Sequence, residues 1–294
     1  MDRRDQNGHV FFSDVDSHDP CPFRWQYFLG QAINVLSSFP DDYFDCIWTD
    51  PPYLLSNGGI TCHAGRMVSV DKGEWDKSRG WELDLEFTEE WMHECYRVLK
   101  PTGTIWVSGT LHFHPIAGMA LIKSGFRLLN DIVWEKPNPP PNLGCRTFTH
   151  STELVYWAAK AQKGDRPNYV FNYADMKAEN GGKQMKTVWR YTAAGRDEKR
   201  HGKHPTQKPV SLIERCIRAS TAPDDLVLDP FSGTASTGVA ALNTGRRFVG
   251  IEVEKEFLDI GLQRLRDCQP ARAYAVEGEP TAVAAGRLLD EESG

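Results

Sequence analysis

The chain has 294 residues, 40% of them hydrophobic and 25% charged, with a net charge of −6; this is a folded protein of one large domain or two small ones. No apolar run reaches the ~18 residues of a membrane span, and the N-terminus lacks a signal-length apolar core. The seven scattered cysteines form no Cys-x-x-Cys pair, so neither a disulfide framework nor a metal site is expected, and a cytoplasmic protein with reduced thiols is.

In chain order, residues 1–24 read as loosely ordered. Strands are predicted at 25–29, 45–50, 103–109, 128–135, 153–158, 226–231 and 247–253. Helices are predicted at 31–38, 86–99, 115–124, 209–220, 235–244 and 254–267. Strands separated by helices imply crossover connections. The fold class is therefore α/β, a doubly wound, mostly parallel seven-stranded sheet covered on both faces. The helix over 86–99 carries Phe87, Trp91, Cys95 and Val98 near helical spacing, then "KPTG" as a stop. Two stretches break the rhythm. Residues 54–85 form a long polar loop, the length expected of a lid or binding loop. Residues 137–203 open with "PNPPPN" and read as an insert outside the sheet. The tail 269–294 is rich in Ala, Gly, Pro and Glu and reads as loosely ordered.

The charge is unevenly spread. Residues 1–24 carry −2 and 270–294 carry −3, which leaves −1 for 25–269, while 177–203 holds eight Lys/Arg against three acids. A basic segment on a near-neutral body fits a nucleic-acid partner better than the total charge does, although a solvated loop with no partner has the same signature.

Three short motifs carry chemistry. In 229–237, "DPFSGTAST", a strand ends in an acid and a small-residue turn opens a helix; the next strand ends in Glu252. That is the logic of a nucleotide-type site, with small residues for close approach and an acid for ribose hydroxyls. The turn has neither Gly-Lys-Ser/Thr nor full G-x-G-x-x-G spacing, which disfavours a phosphate loop and a dinucleotide. By itself such a turn is common. In 204–209, "HPTQKP" precedes a helix and, alone, reads as proline punctuation. In 50–53, "DPPY" follows a strand. Pro52 biases Pro51 toward an extended backbone, so Asp50 and the Pro51 carbonyl are placed to accept two hydrogens of one amino group, with Tyr53 beside a flat ring. A strand-ending turn with an incidental tyrosine is the plain alternative.

The three motifs together, in this order, resemble the beta group of S-adenosylmethionine-dependent DNA amino-methyltransferases, a Rossmann-like, circularly permuted family whose catalytic half comes first. The resemblance covers about 25–268. "LSNGG…VSVDKGEWDK", "PNLGCRTFTHSTE" and "GKQMKTVW…GKHPTQKP" are most similar to DpnA-type adenine methyltransferases. The resemblance implies a methyltransferase domain over 25–268, with DNA recognition in an insert at about 137–203. It implies that Asp50, Pro51, Pro52 and Tyr53 are catalytic. The Asp50 carboxylate and Pro51 carbonyl would hold the target amine and Tyr53 would stack on the extruded base. It implies that Asp229, Phe231, Gly233, Thr234, Ser236 and Thr237 form the S-adenosylmethionine loop, with Glu252 on the ribose. His204, Thr206, Gln207 and Lys208 would line the methionine end. Two departures stand out. Ala235 replaces a common glycine, and Gln31 follows Gly30 where the family often has Asp; Gln31 still reads as a cofactor contact.

The exocyclic amine of adenine is a weak nucleophile because its lone pair is delocalised. Two fixed acceptors favour a pyramidal nitrogen, which is preorganisation plus positioning. The base must leave the duplex to be reached. Lys183, Lys186, Arg190, Arg196, Lys199, Arg200 and Lys203 are the expected DNA-binding residues. The resemblance implies that Asp50, where cytosine-specific members more often carry Ser, favours adenine over cytosine. The resemblance further suggests GATC as the site, single strands beside double strands as substrate, a homodimer and a cognate restriction endonuclease. A cytosine-N4 enzyme, an RNA amino-methyltransferase and a catalytically silent DNA-binding regulator remain as other readings.

Overall fold

The computed structural model describes residues 3–14, 23–53, 60–63, 66–69, 77–160 and 168–268. The elements are β1 (Arg3–Arg4), β2 (Val10–Ser13), β3 (Trp25–Leu29), α1 (Ala32–Leu36), β4 (Phe44–Thr49), β5 (Ile60–His63), β6 (Arg66–Ser69), α2 (Trp81–Val98), β7 (Leu99–Gly109), α3 (His114–Lys123), β8 (Phe126–Glu135), β9 (Thr152–Lys160), α4 (Tyr173–Glu179), β10 (Val188–Arg190), α5 (Val210–Ser220), β11 (Leu226–Asp229), α6 (Ser236–Asn243), β12 (Arg247–Glu252) and α7 (Lys255–Asp267).

One mixed sheet runs β1-β2-β3-β12-β11-β4-β7-β9-β8-β10. Its centre, β3-β12-β11-β4-β7, is parallel, and β9 is antiparallel to both neighbours. Strand alternation sorts the core into two layers. Cys46, Trp48 and Val227 face α5, α6 and α7; Phe44, Ile47 and Leu228 face α1, α2 and α3. A strand buried on both faces reads as a near-continuous apolar run, and β11 is Leu226-Val227-Leu228 before its buried end at Asp229.

All seven expected strands are in this sheet, but it has ten. Residues 3–13, expected to be loosely ordered, supply β1 and β2, and β2 pairs with β3. The stretch 137–203 is not a block outside the sheet: β9 lies between β7 and β8, and β10 pairs with β8 at the edge. Helix α2 starts five residues earlier than expected. Its Asp84 carboxylate accepts the Arg79 N–H at 3.0 Å and the Ser78 hydroxyl at 2.5 Å, which organises the helix start. The helix ends at Val98, just ahead of the "KPTG" stop, and the chain passes straight into β7 at Leu99, which bulges there. Gly103 makes that bulge fit; a Cβ on it would lie 2.8 Å from the Asp45 carbonyl. Of the loop 54–85, Ile60–His63 and Arg66–Ser69 pair as antiparallel strands β5 and β6, and 81–85 begin α2. Much of the expected lid, and the tail 269–294, lie outside the described residues.

Candidate active site

Strands β4 and β11 are parallel neighbours, but the chain leaves β4 toward β7 and leaves β11 toward β12. The order reverses between them, and a crevice at the carboxyl ends of such strands is where doubly wound sheets bind ligands. Asp50 follows β4 and Asp229 ends β11, so both acids stand at this crevice. A cavity of about 290 Å³ opens there. Its wall runs from Asp50, Pro51, Pro52 and Tyr53 to Phe231, Gly233 and Glu252, with Gln31, His204 and Thr206 also lining it. Ile33, Phe87 and Phe257 give it apolar sides. A smaller polar space behind it is lined by Asp50, Gln207, Lys208, Asp229, Thr234, Ser236 and Thr237.

On the Asp50 side, both carboxylate oxygens are engaged. Tyr53 donates its hydroxyl to Oδ1, and the Lys208 ammonium donates to Oδ2 at 2.5 Å. The Tyr53 ring is buried, tilted against Phe113 at 5.8 Å. Lys208 is 4% exposed, and its Nζ also lies 3.5 Å from Glu153. Glu153 in turn is paired with Lys136. Burial opposes the charge on Lys208, but Asp50 and Glu153 outweigh it and hold its pKa above the ordinary value. Burial likewise opposes the Glu153 carboxylate, and Lys208 and Lys136 bring its pKa below the usual range. Lys208 thus contacts Asp50 while also lining the polar space shared with Asp229, Ser236 and Thr237. Glu153 and Lys136 escaped the sequence reading. Their one signal is the pairing of β8 and β9, which brings residues 135 and 152 opposite one another.

On the other side the loop 229–237 is closed by its own bonds. Asp229 accepts the Phe231 N–H at 3.1 Å and the Thr237 hydroxyl at 2.5 Å. Burial nonetheless raises the Asp229 pKa to about 7, with the negative charges of Asp50 and Glu252 adding to it. Thr234 and Ser236 turn their oxygens to the buried Arg264 of α7, at 3.1 and 3.0 Å. These three hydroxyls build the loop. Tyr27, absent from the sequence candidates, donates to the Gly233 carbonyl at 2.5 Å. Gly233 has φ +55°, and Ala235 follows with φ +58°; the methyl at the departure from the family pattern is accepted in a left-handed backbone. Glu252 accepts the Gly233 N–H at 2.7 Å and the Glu254 N–H at 2.8 Å, which fixes its carboxylate at the cavity wall. Burial raises its pKa. The Gln207 side chain donates to the Glu198 carbonyl at 2.9 Å, while its Oε1 is buried with no hydrogen-bond partner among the described residues. Gln31 stands, exposed, at the start of α1 with no side-chain cap bond.

The basic candidates divide. Lys183, Lys186, Arg196 and Lys203 are exposed and Lys199 is half-buried. Arg190 is 3.8 Å from Glu135. Arg200 is exposed and forms a surface ion pair with Asp267 of α7 at 2.6 Å, which His201 shares. Residues 196–203 run directly into the His204–Lys208 stretch of the crevice.

The comparisons with known proteins agree with this geometry. A family model described as DNA methylase, the N6/N4 methyltransferase type, matches residues 44–263. The chain is 52% identical to the Type II methyltransferase M2.DpnII of Streptococcus pneumoniae over 80% of this chain and 87% of that protein. It is 47% identical to the Type II methyltransferase M2.MboI of Moraxella bovis over 84% and 89%. Among solved structures, M1.HpyAVI in complex with SAM superposes with a TM-score of 0.61 at 26% identity, over 82% of this chain and 98% of that one. The cytosine-N4-specific PvuII DNA methyltransferase gives 0.65 at 20% identity, over 82% and 86%, a likeness of fold alone.

Proposed function

The chain belongs to the N6/N4 DNA methylase family, and from that premise we propose that it methylates the exocyclic N6 amine of an extruded adenine in DNA. Its cofactor is S-adenosylmethionine, which when bound supplies a methyl group on a cationic sulfur. The donor set suits that molecule. Asp229 is a buried carboxyl poised near neutrality, which a cation would ionise. The unmet Gln207 Oε1 is an acceptor facing the same polar space. Glu252 is an oriented acid for ribose hydroxyls, with lone pairs left beyond its two backbone bonds. Ile33, Phe87 and Phe231 are apolar walls for a flat ring.

The observation that carries the proposal is the single cavity joining Asp50-Pro51-Pro52-Tyr53 to Gly233 and Glu252. In this reading Asp50 and the Pro51 carbonyl accept the two amine hydrogens and hold the nitrogen lone pair toward the cofactor side. Lys208 donates to Asp50 and holds the carboxylate in place. Tyr53, through its bond to Asp50, sets the carboxylate's orientation, and its ring is the proposed stacking partner of the base. Excluding water strengthens each of these contacts. The order of the halves along the chain fits a permuted member of the fold. Lys183, Lys186, Arg196 and Lys203 are the proposed phosphate contacts, the recognition segment is assigned to the region around 137–203, and GATC is the proposed site, in double and single strands. Type II relatives suggest a role in restriction-modification.

The test is direct. Incubate the protein with unmethylated genomic DNA and S-adenosylmethionine, digest to nucleosides, identify the modified base by mass spectrometry, and map its sequence context. N6-methyladenine in GATC is expected. N4-methylcytosine, or no modified base, would overturn the assignment.

A further inference from the structure

Residues 137–150 join β8 to β9, and the function proposed above gives them no individual role. The segment contains Arg146 and a Pro139-Pro140-Pro141 run and has no acidic residue. Proline fixes φ and removes freedom. Asn142 adds a clasp: its side-chain nitrogen donates to the Thr147 carbonyl at 2.8 Å and hydroxyl at 2.6 Å, and its oxygen accepts the Gly144 N–H at 3.0 Å. At the base, the Lys136 N–H donates to the Ser151 carbonyl at 2.7 Å. The segment is a built finger. On the returning side, just past the clasp, Phe148 is 96% exposed, more than any other large hydrophobic residue among those described. An ordered loop that holds an aromatic ring in water gains nothing from that ring in the free protein. The finger is also rooted at the crevice, because Lys136 is paired with Glu153, and Lys208 bridges Glu153 to Asp50.

We propose that this finger enters duplex DNA beside the target, with Phe148 stacking among the bases where the extruded base has left a gap and Arg146 on the phosphate backbone. The proposal rests on the DNA amino-methyltransferase reading. Extruding a base removes its stacking on both neighbours, and apolar side chains inserted between bases offset such losses in proteins that distort duplexes. An aromatic ring suits the task because every base presents a π-face. A lone strand has no paired gap to fill, so the residue matters less there.

The experiment compares wild type, Phe148→Ala and Phe148→Trp on a duplex and on its single target strand. It reads initial methylation rates, and extrusion through 2-aminopurine fluorescence at the target position. From the usual effect of removing a base–aromatic stack, Phe148→Ala should lower the duplex rate about tenfold and lose the fluorescence rise. Its single-strand rate, cofactor affinity and Tm should stay at wild-type values, and Phe148→Trp should retain duplex activity. The proposal is overturned if Phe148→Ala keeps the duplex rate and fluorescence, if both substrates lose activity equally, or if wild type methylates only single strands. A wild-type protein that methylates neither substrate removes the underlying reading, and the finger with it; methylation by wild type with an indifferent Phe148→Ala removes the finger alone.

Discussion

The two ends of the crevice are held together in different ways. At the loop 229–237, Asp229 holds the Thr237 hydroxyl and Arg264 holds those of Thr234 and Ser236, so the loop's shape is set before any ligand arrives. At Asp50, the partners are groups that a target amine must share or displace: the Tyr53 hydroxyl and the Lys208 ammonium, with Glu153 and Lys136 behind them. The contrast teaches where binding and chemistry are separable. Changes at the loop should act on folding and cofactor affinity; changes at Asp50 should act on the rate of transfer.

Asp50→Ala breaks the comparison most directly. Loss of a preorganised charge-stabilising group should lower kcat about a thousandfold, while calorimetry finds cofactor affinity little changed. An equal loss of both would mean that the two ends act as one. Next is Lys208→Met, which takes the buried cation from between Asp50 and Glu153 and leaves Asp50 without an ion-pair partner. Stability should fall by about 3 kcal/mol. Lys208→Met combined with Glu153→Gln should recover most of that loss in a denaturant titration, because a charge pair leaves together.

The loop is sharpened by pH. Asp229 has a folded pKa raised to about 7, so the folded state holds this proton more tightly than the unfolded chain. Stability of the ligand-free protein should fall as pH rises through the interval from the ordinary carboxyl value to about 7. Binding of a cation favours the ionised form, which reverses the sign for affinity. Cofactor affinity should weaken by up to about tenfold per pH unit below neutrality, and Asp229→Asn should flatten that slope. Titration calorimetry at several pH values reads both. The smallest effect is expected at Ala235→Gly. It removes about 1–2 kcal/mol of left-handed strain, and returns a similar amount through unfolded-chain entropy and a lost buried methyl. Thermal unfolding should therefore move by less than about 2 °C.

How much was legible follows the range of each interaction. The seven strands at the sheet centre were readable because apolar runs are local. Helix α4 was missed; it is short and buries Met176 alone. β1 and β2 were missed because β1 is only two residues long and β2 is half-buried, with its partner β3 more than ten residues on. Asp50, Asp229 and Glu252 were legible from strand-end position and motif. Tyr27, Lys136, Glu153 and Arg264 were not, since each reaches the site from an element far away in sequence.

The order of strands and helices, the three motifs and the family resemblance were thus determined by the sequence itself, because short-range periodicity and residue chemistry are written residue by residue. Only the tertiary structure decided that Lys208 faces Asp50, that the loop hydroxyls are spent on Arg264 and Asp229, and that β9 runs through the sheet. Those outcomes depend on which strands become neighbours and on burial, which makes an unpaired charge or hydroxyl too costly to leave and so selects its partner from across the fold.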